Sequence, residues 1–148
     1  MLSLQVHLLP GWSDVTAHNP DGGPTYIRHV HGMDNPLQVS YSMYRSGDIP
    51  NPSEGDLITL AQGLSQAIEP AELISTMSGP CTFGHFGSAV FCSPVFPRAQ
   101  SWCLSNGKDV IRATHICGSL PAAEEIREAE WIVRRLTLTI SEGTRQSA

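Results

Sequence analysis

The sequence has no apolar run near the roughly 20 residues that a membrane-spanning helix requires. Its four cysteines form no CxxC pair, and it has no GxSxG elbow and no glycine-rich phosphate or dinucleotide loop. Positive charge is scarce in the first two-thirds: residues 1–97 hold two basic side chains, Arg28 and Arg45, against eight acidic ones. Each absence removes a class of function. Without a long apolar run, no membrane partner is expected. Residues 1–9 lack a basic n-region and are too short for a secretory signal, so a cytoplasmic location is expected. Without CxxC spacing, Cys81, Cys92, Cys103 and Cys117 read as free, buried thiols behaving as small hydrophobes, in preference to disulfides. The charge is −6 over residues 1–97 and +1 over residues 98–148, the opposite of the bias that nucleic-acid binding needs. A basic protein partner fits this bias better, although the same acids would also serve to solubilise loops.

What is present is a globular composition. At 148 residues and 41% apolar content, the chain suits one domain over residues 1–141, followed by a flexible tail over residues 142–148. Residues 2–8 alternate Leu2, Leu4, Val6 and Leu8 with polar residues, which predicts a strand with one buried face. Residues 12–23, rich in Asp, Asn, Pro and Gly, predict an irregular loop. Strands are predicted over residues 26–30 and 37–44, joined by a hairpin loop. Ser53 and Asp56 then have the spacing of a capping box, opening a helix with Leu57, Leu60, Ala61, Leu64 and Ile68 on its apolar stripe, stopped at Pro70. Residues 72–77 and 83–92 predict another strand pair, broken by Ser78-Gly79-Pro80.

The last third carries the clearest pattern. Residues 100–104 and 109–117 predict two strands around Asn106-Gly107, the signature of a type I′ hairpin. That turn would set Leu104 opposite Asp109 and Trp102 opposite Ile111, with Trp102, Leu104, Ile111, Ala113 and Cys117 on one face. A second helix follows, with Ser119 as N-cap, Pro121 in its first turn and Ala122, Ile126, Ala129, Val133 and Leu136 as its stripe. Residues 137–140 predict a short last strand. The fold class expected is α+β, a mostly antiparallel sheet flanked by two main helices.

Candidate chemistry is thin. His29 and His31 share one strand face and would hold a metal only if His7, His18 or Asp34 supplied a third ligand; two ordinary strand-end histidines are the simpler reading. Cys81 and His85 would make a thiolate–imidazole pair, against a packed thiol and a hydrogen-bonded histidine. Trp131 sits off the helical stripe, four residues from Arg127 and from Arg135, where a guanidinium can stack on it. No catalytic residue, metal or cofactor is assigned.

Gly11-Trp12-Ser13-Asp14 after a first strand, Tyr44-Arg45-Ser46-Gly47 before a Pro/Ser-initiated helix, residues 102–114 with their Ser105-Asn106-Gly107 turn, and the closing helix over residues 129–136 resemble the PsbP-like α/β sandwich group. That group includes the photosystem extrinsic protein, the Ran release factor and the bacterial DcrB-related proteins. The resemblance implies a central antiparallel sheet between helices and a non-enzymatic, protein-binding role. The expectation drawn from resemblance and charge together is a bacterial immunity or effector-associated protein, as in toxin–antitoxin pairs, that covers a basic partner with Trp12, Asp14, Asp21, Asp48 and Glu54. The alternative is a metal- or thiol-dependent enzyme using His29 and His31 or Cys81 and His85. A subunit joined to its copies at a sheet edge is a third reading.

Overall fold

In a computed structural model, which describes residues 2–18, 23–28, 35–43 and 51–140, the chain forms nine strands and two α-helices among the described residues. Seven strands make one antiparallel sheet: β2 (Trp12–Asp14), β3 (Thr25–Arg28), β4 (Leu37–Met43), β5 (Glu72–Cys81), β6 (Gly84–Cys92), β7 (Arg98–Ser105) and β8 (Asp109–Cys117). Their spatial order is β2-β3-β4-β8-β7-β6-β5. The outer members, β2 and β5, are therefore its two edges. Separately, β1 (Leu2–Gln5) pairs with β9 (Thr137–Ile140) in a two-stranded ribbon that brings the two ends of the described chain together.

Alternation along each strand sends side chains to two faces, and each face has its own helix. On one face, α1 (Glu54–Gln62) lays Leu57 and Ala61 over Ala89, Phe91, Ala99 and Cys103. Gly87 on β6 permits this contact, because a Cβ there would collide with the Ile58 backbone. On the other face, α2 (Ala123–Arg134) packs Ala129, Ile132 and Val133 against Phe86, Trp102, Leu104 and Ile111, and the β1–β9 ribbon lies against the same cluster. The expected α+β architecture, an antiparallel sheet between helices, is the one observed.

Local capping follows the sequence at α1 and departs from it at α2. Ser53 accepts from the Asp56 N–H while the Asp56 carboxylate accepts from the Ser53 N–H, completing the capping box. Ser119 does not cap α2: its carbonyl accepts from Asn35 Nδ2, Pro121 is buried, and the chain stays extended until Ala122. The stripe is rotated as well. Ala122 is exposed and Ile126 only half-buried, while Glu125 turns inward with Ala129, Ile132 and Val133.

Three strand expectations are corrected. Residues 12–14 pair with β3 instead of looping out, because Trp12 has a core site to fill. Ser78-Gly79-Pro80 does not break β5. An edge strand keeps one side unpaired, so a residue without an N–H is tolerated there. The Asn106-Gly107 hairpin is wider than a two-residue turn. Leu104 pairs with Ile111 and Trp102 with Ala113, and Asn106 Oδ1 accepts from the N–H groups of Lys108 and Asp109 at 2.9 and 2.8 Å. An Asx turn has replaced the I′ turn and moved the register by two residues. A slip of two preserves the face, so the five residues expected to share one still do. The 142–148 tail lies outside the described residues.

Candidate functional site

Two places in this fold concentrate unusual chemistry: the polar seam under the first half of α2, and the outer edge at β5. The seam begins at Glu128, whose Oε1 accepts from Trp12 Nε1 at 2.9 Å and from Arg28 Nε at 3.0 Å. Arg28 also reaches Glu124 at 3.2 Å. Deeper, His115 Nε2 and Glu125 Oε2 lie 2.9 Å apart with both residues no more than 2% exposed, and Asn35 Nδ2 donates to the same oxygen at 3.3 Å. Burial works against ionisation of Glu125, but the hydrogen bond and charge of His115, the Asn35 amide and Arg28 outweigh it and hold the carboxyl below its ordinary value.

His115, Cys117 and Glu125 are also the one group of three such side chains, among the described residues, whose candidate ligand atoms lie within 4.8 Å of one another. Their geometry is that of a lock and not of a metal centre. With Glu125 ionised, His115 Nε2 is the donor to it, so the proton sits where a metal would sit on the lone pair. The Cys117 sulfur is 3.7 Å from Nε2 and 3.8 Å from Nδ1, which places it off to the side of both lone-pair directions. Its thiol is pushed up to about 12, first by burial and then by the Glu125 carboxylate, which makes it inert.

The residues singled out in the sequence scatter. Trp12 is 6% exposed and plugs the sheet under α2, so it is no surface anchor. Asp14 is exposed, but its carboxylate accepts from the Thr16 N–H and hydroxyl, and these bonds lower its pKa. Glu54 lies on the other side of the molecule, bonded to Ser78 Oγ and His85 Nδ1 at 3.0 and 3.1 Å. Asp14 and Glu54 therefore share no patch. Asp21, Asp48, His29 and His31 lie outside the described residues. Cys81 and His85 do not meet: His85 turns to Glu54 on the α1 side, while Cys81 packs against the α2-side core and burial raises its thiol pKa. Of the four cysteines, Cys103 and Cys117 are buried as expected, and Cys81 and Cys92 are only half-buried. Arg135 stacks on Trp131 at 4.0 Å, as the helical spacing predicts.

The β5 edge went unrecognised in the sequence because its length was hidden by Ser78-Gly79-Pro80. It runs ten residues, is exposed almost throughout, and has no charged side chain after Glu72. Leu73, Ile74 and Met77 are 46%, 57% and 47% exposed. A bulge between Leu73 and Ser75 and the proline at position 80 bracket a regular stretch at residues 75–79. Nothing among the described strands pairs with its outer side.

No family model matches the chain, and no curated protein matches it. Among solved structures it is similar to the solution structure of cyanobacterial PsbP (CyanoP) from Synechocystis sp. PCC 6803, at 14% identity and a TM-score of 0.54 over 93% of each chain. The chain has a PsbP-like fold, and at that identity the likeness speaks to fold alone. No helix among the described residues is long and apolar enough to cross a membrane.

Proposed function

We propose that this chain is a non-catalytic protein-binding module that receives an extended segment of a partner along β5. The observation that carries this reading is the uncharged, ten-residue edge with Leu73, Ile74 and Met77 half-exposed on it. Sheet proteins normally blunt such an edge with charge or cover. An added strand would satisfy the outward backbone groups of residues 75–79 and bury the three side chains, which is β-strand addition. A PsbP-like fold is compatible with such a role. The test is co-purification of the tagged chain with its partner from the native host, comparing wild type with Ile74→Lys and Met77→Lys. Loss of the partner in both variants, with an unchanged thermal midpoint, is expected. Full retention would refute the edge as the docking surface.

A second reading is favoured by the −6 charge of residues 1–97: an immunity or effector-associated protein whose acidic loops cover a basic partner. Charge reversal of Asp14, Asp21, Asp48 and Glu54 together would then weaken binding to the product of an adjacent gene. Unchanged affinity at low salt would count against it.

A further inference from the structure

Beside β5, on its α2 side, lies a groove whose charge specifies what can occupy it. One part, of about 290 Å³, runs between Ser75 and Met77 on β5 and Ile126 on α2, over Val90 and Arg98. It shares Arg127 and Glu130 with an adjoining depression of about 450 Å³ that continues past Trp131 to Arg134 and Arg135. Four guanidinium groups thus face one carboxylate. Glu130 Oε1 accepts from Gln100 Nε2 and Trp102 Nε1 at 3.2 and 3.1 Å, while Oε2 is buried without a hydrogen-bond partner, 3.9 Å from Arg134 Nε, so the carboxylate offsets only part of this charge.

The groove also holds a donor without an acceptor. Arg98 gives one nitrogen to Gln100 Oε1 at 2.9 Å, but its Nε is buried with no hydrogen-bond partner. A buried donor left unmet is costly, and a carboxylate meets it while neutralising the arginines.

Resting on the edge reading above, we propose that the segment added to β5 is an acidic strand of another protein. Its backbone continues the sheet along residues 75–79, and its carboxylates, on alternate residues, lie in the arginine groove. Side chains two apart on a strand are about 7 Å apart along one face, so successive acids reach first Arg98 and Arg127, then Arg134. A second copy of this chain fits less well, because its own β5 brings no acid between Glu72 and Cys81 and would leave the positive charge of the groove unneutralised.

The experiment uses the full chain, ¹⁵N-labelled, with three end-capped octapeptides alternating Val with Glu, Gln or Lys. Anisotropy gives affinity and amide shifts give location. The Glu peptide is expected to bind about tenfold tighter than the Gln peptide, to shift the β5 amides and the Arg98 Nε–H signal, and to lose its advantage in high salt. Arg127→Gln combined with Arg134→Gln should abolish the preference of the Glu peptide over the Gln peptide, with the β5 amides still shifted by both. Equal binding of all three peptides at β5 would overturn the acidic specificity and leave the edge reading standing. No β5 shift with any peptide would defeat both. Self-association through β5, seen by sedimentation, would overturn the acidic strand in favour of a second copy.

Discussion

The two edges of the seven-stranded sheet are finished in opposite ways. At β2 the edge strand is three residues long, its Trp12 is turned into the core, and Asp14 is tied to Thr16. The strand is short and pinned, which leaves little to template another. At β5 the edge is ten residues long, uncharged after Glu72, and carries three half-exposed apolar side chains. The same helix accounts for both. The first half of α2 presents Glu124, Glu125 and Glu128 to Arg28, Trp12, His115 and Asn35 and clamps the β2 side shut. Another side of the helix, with Ile126, Arg127, Glu130 and Arg134, stands beside β5 and lines a groove. Acids on one side of this helix are spent on the fold, and arginines on another line an open groove.

The comparison breaks most severely if the clamp is removed. Glu125→Ala leaves His115 and Asn35 buried without their acceptor and is expected to cost about 3–5 kcal/mol, read from urea unfolding. A loss below about 1 kcal/mol would mean that the pair does not hold α2 down. Trp12→Ala empties a buried site and removes a donor from Glu128, with an expected loss of about 3–5 kcal/mol that should fall short of additivity with Glu125→Ala.

Acid sharpens the same point. Because the folded-state pKa of Glu125 lies below its unfolded value of about 4.3, its contribution is fully present above that value. It is lost as pH falls through the folded pKa. The urea midpoint of wild type should therefore drop more steeply than that of Glu125→Gln below about pH 4.3, and parallel curves would contradict the ionised Glu125 carboxylate. The open edge should respond weakly: Ile74→Lys and Met77→Lys are expected to change stability by less than about 0.5 kcal/mol while removing partner binding.

How much of this was legible in the sequence depends on whether a residue's role was local. The Ser53–Asp56 capping box and the face shared by Trp102, Leu104, Ile111, Ala113 and Cys117 follow from spacing alone and hold, whereas the first helix, expected to run to Pro70, ends at Gln62 and leaves Leu64 in a 3-10 turn and Ile68 beyond it. The register of the β7–β8 hairpin did not follow, because the Asn106 side chain took over the turn by accepting two backbone N–H groups. By position alone Glu125 belongs to the first turn of a helix, where an acid favours the dipole. Only the distant Asn35 and His115 make its burial tolerable, and no local pattern announces them. The candidate site was missed for a similar reason: β5 is an edge by virtue of which strand ends the sheet, which depends on topology, and a glycine and a proline inside it looked like a break. The acids Asp14 and Glu54 were visible, but their placement on opposite sides of the molecule was not.

The central claim is that β5 receives a partner and β2 does not. Photo-crosslinking in the native host tests it most directly, with a benzophenone side chain installed at Thr76 on β5 or at Ser13 on β2. The account predicts a discrete protein adduct from position 76 and none from position 13. An adduct from position 13 with none from position 76 would contradict it.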